Sequence, residues 1–260
     1  MALIYFYDTT EIDKQQITKG LIETDHHWEF VDEQISTDNL NLETEVLSVF
    51  ITSAVTAEII NALPKLRLIA CRSTGFNNID LNAAAAKGIA VENVPTYGDQ
   101  TVAEYAFTLL LALSRKLPEA INSYDKNVPV ENMRGWDLKG KTLGVIGSGH
   151  IGQCAIKIAN GFGMNVIAFD PYPNEQVADE LGFKYVELDE IFINSDAITI
   201  HAPYFPSNHH IVNAEKLALM KPTAVLVNTA RGELVDTKAL ADAMSQNKIA
   251  GVALDVIEGE

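Results

Sequence analysis

The sequence predicts an α/β protein built on parallel, doubly wound sheets, and three observations predict it. Short apolar runs of strand length alternate with helix-like runs from one end of the chain to the other, the order that lays helices on both faces of a parallel sheet. Residues 142–152, TLGVIGSGHIG, carry an apolar strand into Gly147-x-Gly149-x-x-Gly152 and then into a helix-like stretch, Gln153 to Phe162. A further apolar strand, Asn165-Val-Ile-Ala-Phe, ends in Asp170, eighteen residues past Gly152.

In chain order, strands are predicted at Leu3–Tyr7, Trp28–Val31, Val46–Thr52, Leu66–Arg72 and Ala90–Val94, with helices at about Asp8–Ile22, Thr56–Leu63 and Leu81–Lys87. The next run, Asp99–Leu117, is apolar at Val102, Tyr105, Ala106, Leu109, Leu110 and Leu113. A helix apolar around most of its circumference is a buried one, here between domains or subunits. Strands follow at Thr142–Ile146, Val166–Asp170, Ala197–His201, Ala224–Asn228 and Gly251–Val256, with helices between them. No repeat or low-complexity linker interrupts the pattern. The boundary is placed near residue 98, just before the long helix. This gives a flavodoxin-like substrate (catalytic) domain at 1–97 and a Rossmann-type domain at 98–260, with the active site expected in the cleft between them.

The glycine pattern carries the chemistry. Gly147 permits a tight turn, Gly149 lets the backbone approach a pyrophosphate, and Gly152 lets the helix pack close on the strand. The helix N-terminus adds unpaired N–H donors and a favourable dipole for phosphate. Alone the pattern often marks only a turn; with strand, helix and terminal acid in place it is a dinucleotide fingerprint. Asp170 is placed to accept hydrogen bonds from the adenosine ribose. Its charge disfavours a 2′-phosphate, and Pro171, Tyr172, Pro173 and Asn174 supply no compensating cation. The predicted cofactor is NAD.

Composition narrows the partners. At 260 residues the chain is long enough for two domains with cores. Hydrophobic residues make up 47% and mean hydropathy is near zero, as in soluble globular proteins. No run reaches the 18 or so apolar residues a membrane span needs, and the N-terminus reads as a first strand, not a signal peptide. The net charge of −16 argues against nucleic acid or an anionic membrane as partner. It also means that an anionic substrate needs a local cation. Cys71 and Cys154 lack metal-ligand spacing and are read as buried thiols of a reducing cytoplasm.

Gly135-Trp-Asp-Leu-Lys-Gly140-Lys141-Thr142 fits a P-loop pattern, but it leads into a strand where a P-loop leaves one, so it is read as a polar entry turn. Asn228-Thr-Ala-Arg231-Gly232 sits at the carboxyl end of a strand, where ligands bind in open α/β sheets. The planar fork of Arg231 suits a carboxylate and a neighbouring carbonyl; a surface arginine closing the strand is the equally weighted alternative. His26, His27, His209 and His210 lie in polar loops and His201 ends a strand, none beside a hydrolase-type nucleophile motif. Asp255, Glu258 and Glu260 are individually read as solvated turn acids.

Taken in order, these segments resemble the D-isomer-specific 2-hydroxyacid dehydrogenases, D-lactate dehydrogenase-like members in particular. The resemblance runs through Arg72-Ser-Thr-Gly-Phe-Asn-Asn-Ile-Asp80, Val94-Pro-Thr-Tyr97, Thr101-Val-Ala-Glu104, Leu138-Lys-Gly-Lys-Thr142 and Gly147–Gly152. It continues through Asp170, His201-Ala-Pro203, Asn228–Gly232 and Ala253-Leu-Asp-Val256, covering roughly residues 65–260. It implies hydride transfer between NAD and a small 2-hydroxy or 2-keto acid. Arg231 would bind the carboxylate and keto oxygen. Glu260 would hydrogen-bond a catalytic histidine and keep it protonated. Backbone N–H groups at Thr74 and Gly75 would hold the carboxylate, with the Tyr97 hydroxyl nearby. His150, Ile151, Ala202, Pro203, Asn208, Thr229, Ala230 and Asp255 would line the NAD site beside the glycines. The resemblance also implies a cytoplasmic homodimer formed through the NAD-binding domain, and an acid–base histidine roughly 20–35 residues past the glutamate. The chain is therefore expected to be C-terminally truncated, missing that histidine. An NAD-sensing, corepressor-like interaction protein on the same scaffold is the alternative.

Overall fold

The computed structural model describes residues 1–124 and 134–259, which cluster into two compact units, Met1–Tyr97 and Gly98–Glu260. The first unit holds β1 (Leu3–Phe6), α1 (Glu11–Leu21), β2 (His27–Phe30), β3 (Val46–Val49), α2 (Ala57–Ala62), β4 (Leu68–Cys71), α3 (Leu81–Ala86) and β5 (Ala90–Glu92). Its strands are all parallel, in the order β2-β1-β3-β4-β5, the flavodoxin-like arrangement. Leu47, Val49 and Ile69 of the central strands are wholly buried and pack with Ile60 and Leu63. The first helix starts later than the pattern suggests. Asp8 takes a left-handed φ of 56°, and Thr10 and Asp13 cap each other's backbone N–H reciprocally, so helical geometry begins at Glu11.

The second unit holds α4 (Asp99–Ser114), α5 (Leu117–Tyr124), β6 (Thr142–Ile146), α6 (His150–Gly161), β7 (Asn165–Phe169), α7 (Glu175–Leu181), β8 (Lys184–Tyr185) and α8 (Leu188–Asn194). It continues through β9 (Ala197–Ile200), α9 (Ala214–Leu219), β10 (Val225–Asn228), α10 (Thr237–Ser245) and β11 (Gly251–Leu254). The parallel sheet has the order β11-β10-β9-β6-β7-β8. The chain moves outward from β6 to β8 and then returns to place β9 on the other side of β6, so the switch point lies between β6 and β9. Every residue of β9 and β10 is buried, as expected for strands covered on both faces. Alternate side chains feed two cores. Leu143, Val145, Ala197 and Val227 join one; Ile146, Ile198, Ile200 and Leu226 join the other.

Two expectations are corrected here. The run Asp99–Leu117 is not one helix: α4 ends at Ser114 and Lys116 turns to φ 50° before α5 begins. Pro118 has no N–H to give to the Ser114 carbonyl, which accepts from Trp136 N–H instead, at 2.9 Å. Within its own unit α4 is covered along one side. Ala103, Ala106, Phe107 and Leu110 are buried within the unit, and Phe107 stacks on Phe162 with ring centroids 5.7 Å apart, whereas Tyr105 is 44% exposed. Cys71 is buried as read, but Cys154 is only partly so. Among the described residues no helix is long and apolar enough to cross a membrane.

Candidate functional site

The glycine turn joins β6 to α6 at the carboxyl edge of the second sheet. Gly147 has φ 94°, and a Cβ there would meet the Ala202 backbone nitrogen at 2.7 Å. A Cβ on Gly152 would fall 2.1 Å from the Gly147 carbonyl oxygen. Only hydrogen fits at either position. Among the described residues, nothing lies within 4 Å of where a Cβ on Gly149, the N-cap of α6, would stand, and no side chain caps the helix. Open space above uncapped N–H groups fits the pyrophosphate of a dinucleotide. The helix begins at His150, earlier than Gln153, so His150 and Ile151 sit in its first turn. His150 is exposed, its Nδ1 4.0 Å from Asp99 Oδ2, while Ile151 packs partly buried against the core.

Asp170 follows β7, half-buried, and reaches back to this turn. Its Oδ2 accepts from the Ser148 N–H at 2.8 Å and the Ser148 hydroxyl at 3.0 Å; its Oδ1 accepts from the Tyr172 N–H at 3.0 Å. Ser148 Oγ also lies 2.8 Å from the Tyr185 hydroxyl. Sequence reasoning found Asp170 but neither supporting side chain. The Ser148 position was legible between two glycines; Tyr185 lies on a two-residue strand too short to show a period.

The ends of β9, β10 and β11 complete the edge. Ala202 is half-buried and Pro203 exposed. The Asn208 amide is turned inward on its own loop, accepting from Phe205 N–H and donating to Pro203 O. The Asn228 side chain accepts from Ala230 N–H at 3.0 Å and donates to Arg231 O at 2.8 Å, which shapes the turn presenting Arg231. Arg231 is half-buried, with Nη1 2.7 Å from Ala230 O. Among the described residues Thr229 Oγ1 is buried without a hydrogen-bond partner. A Cβ on Gly232 would meet the Ile257 carbonyl carbon at 2.2 Å, so the chain after β11 lies directly against this turn. Asp255 is exposed and its N–H donates to Asn228 O at 2.9 Å. Glu260 lies outside the described residues.

The histidines differ from one another. His201 is buried, its Nε2 3.0 Å from Thr199 Oγ1, and burial pushes its pKa down to about 4, so it is neutral near pH 7. His209 and His210 stack with ring centroids 3.8 Å apart, and His210 Nε2 lies 2.9 Å from Glu258 Oε2. These residues read as loop histidines and a solvated acid, yet they pair. Forty-eight positions separate His210 from Glu258, and no spacing signal spans that.

In the first unit Thr74 and Gly75 follow β4. The Thr74 hydroxyl donates to Val94 O at 2.9 Å, and Asn93 Nδ2 donates to Thr74 O at 2.7 Å. Arg72, beside them, donates to the carbonyls of Tyr7 and Asp8 at 2.7 and 2.8 Å, tying the ends of β1 and β4 together. Tyr97 is 63% exposed.

Comparison with known proteins bears on this edge directly. The family model described as the D-isomer specific 2-hydroxyacid dehydrogenase NAD binding domain matches residues 107–260. A 2-hydroxyacid dehydrogenase homolog of Haemophilus influenzae is 38% identical, covering 99% of this chain and 79% of its own length. D-lactate dehydrogenase of Escherichia coli is 36% identical over 98% of this chain and 78% of its own. Among solved structures, D-lactate dehydrogenase from Aquifex aeolicus complexed with NAD and lactic acid superposes with a TM-score of 0.90 at 33% identity, covering 98% of this chain and 77% of that one. An acyclic imino acid reductase in complex with NADPH and D-Arg also reaches 0.90, at 31% identity, with 100% and 84% coverage. These relatives support oxidoreduction; none supports the corepressor-like alternative.

Proposed function

This chain belongs to the D-isomer specific 2-hydroxyacid dehydrogenase family, and we propose that it interconverts a small D-2-hydroxy acid, of lactate size, and its 2-keto acid. The cofactor is NAD. The observation that carries the reading is the shared edge: the glycine turn, Asp170 and the Asn228–Gly232 turn all stand at carboxyl ends of strands in one sheet.

NAD, when bound, supplies the hydride acceptor or donor. The residues of this chain bind and align. The N–H groups at the start of α6 hold the pyrophosphate, Asp170 accepts from the ribose, and Thr229, Ala230, Ala202, Pro203, Asn208 and Asp255 line the remainder. Arg231 pairs with the substrate carboxylate and keto oxygen, neutralising charge as it develops on that oxygen. It supplies the local cation that a chain of net charge −16 otherwise lacks. Thr74 and Gly75 offer N–H groups to the carboxylate, and Tyr97 its hydroxyl. Proton transfer belongs in this reading to a histidine that Glu260 keeps protonated. His201 is unsuited, since it is buried and neutral.

The reading includes a cytoplasmic homodimer formed through the second unit, supported by exposed apolar side chains at Tyr105, Leu117 and Ile121. Light scattering tests the dimer. The activity is tested by NADH oxidation with glyoxylate, pyruvate and bulkier 2-keto acids, using the natural polypeptide that carries these residues. Turnover of pyruvate or a bulkier 2-keto acid to a D-configured product is expected; turnover of none of the acids, or an L-configured product, overturns the reading.

A further inference from the structure

We propose that Tyr185 is a positioning residue for cofactor choice: acting through Ser148, its hydroxyl locks the Asp170 carboxylate into the orientation that accepts ribose and rejects a 2′-phosphate. The proposal rests on the reading of Asp170 as the ribose acceptor.

The direction of the chain of hydrogen bonds is set by counting protons. An ionised carboxylate only accepts, so Ser148 must donate its single hydroxyl proton to Asp170 Oδ2, 3.0 Å away. The contact of 2.8 Å between Ser148 Oγ and the Tyr185 hydroxyl can then be made only with Tyr185 donating. The order is Tyr185 O–H to Ser148 Oγ, then Ser148 O–H to Asp170 Oδ2. Each bond polarises the next in the same direction. Ser148 is 7% exposed, which shields its hydroxyl from competing water.

The remaining capacity of the carboxylate follows. Its two oxygens offer about four acceptor sites. Oδ2 receives the Ser148 N–H and O–H, and Oδ1 receives the Tyr172 N–H. Among the described residues one site stays open, on Oδ1. A ribose hydroxyl can donate to it. A 2′-phosphate brings acceptor oxygens and like charge instead, and the carboxylate, held on three sides, cannot swing away.

The fold places Tyr185 for this purpose. β8 is an edge strand of two residues whose pairing sets Tyr185 opposite Ala168, two residues before Asp170. The ring is braced edge-on by Phe183, with centroids 5.0 Å apart.

The test is calorimetric titration of NAD and NADP against the natural polypeptide and the variants Tyr185→Phe, Ser148→Ala, Ser148→Thr and Asp170→Ala, with thermal unfolding read in parallel. Tyr185→Phe is expected to weaken NAD binding roughly 3–10-fold, the range for one hydrogen bond, without weakening NADP, so the NAD-to-NADP preference narrows. Ser148→Ala should match or exceed it, and Ser148→Thr should retain the preference. In an Asp170→Ala background Tyr185→Phe should have no further effect, because a residue acting through another is non-additive with it. An unchanged preference in Tyr185→Phe, or an equal effect in both backgrounds, overturns the proposal while leaving Asp170 its role. No effect of Asp170→Ala overturns the underlying reading.

Discussion

The Cβ that Gly152 lacks would stand 2.1 Å from the carbonyl oxygen of Gly147. Helix α6 therefore touches the turn that precedes it, backbone to backbone. Gly152→Ala must push the two apart, and overpacking of this kind costs about 1–3 kcal/mol. In a domain this size that lowers Tm by roughly 2–12 °C. NAD affinity should fall as well, because the turn carries the phosphate donors. Calorimetry and thermal unfolding check both effects; a variant equal to the natural protein in both would place the contact outside the binding machinery.

Asp170→Ala should weaken NAD by about 10–150-fold, the range for a charge-assisted hydrogen bond of about 1.5–3 kcal/mol. NADP should lose less. Unequal loss, measured as two dissociation constants, separates a ribose contact from general damage to the site.

Arg231→Lys should lower kcat/KM for 2-keto acids about 10–150-fold, with NAD affinity nearly constant. A point charge on a flexible stem does not reproduce a fork held 2.7 Å from the Ala230 carbonyl. Steady-state kinetics show it. An undiminished kcat/KM returns Arg231 to a structural role.

His201 sets an acid limit on stability. Its pKa is about 4 in the folded chain, depressed by burial, against about 6.5 unfolded. Between those values the unfolded state binds the extra proton, so stability falls as pH drops from about 6.5 toward 4. By that linkage the loss between pH 7 and pH 5 is about 2 kcal/mol. His201→Asn should remove this component, flattening the pH dependence of urea unfolding by that amount. A slope unaltered by the substitution would assign the acid sensitivity elsewhere.

Much of the fold was legible because its signals are local. The strands at Thr142–Ile146 and Asn165–Phe169 are apolar runs bounded by turn residues, and Gly152 is fixed by Gly147 only five positions away, although Gly147 itself meets Ala202, fifty-five positions on. The break between α4 and α5 was not read. Pro118 was in plain view, but the decisive partner for the Ser114 carbonyl is Trp136, twenty-two residues away. Strand ends ran long in the same way. β3 stops at Val49, and Ile51 is 54% exposed, so apolar character outlasts pairing.

By itself the sequence determined the class of fold and the cofactor, because alternating periods, a glycine spacing and a terminal acid act over short stretches of chain. For Arg231, position alone left a surface role equally open, and only the family resemblance gave it a substrate role. Tertiary structure alone decided which groups surround the acid and Arg231. Tyr185 meets Ser148 across 37 positions, and His210 meets Glu258 across 48. Such pairs form where parallel strands bring their carboxyl ends to one edge. Their geometry depends on sheet order and on crossovers, which no local pattern encodes.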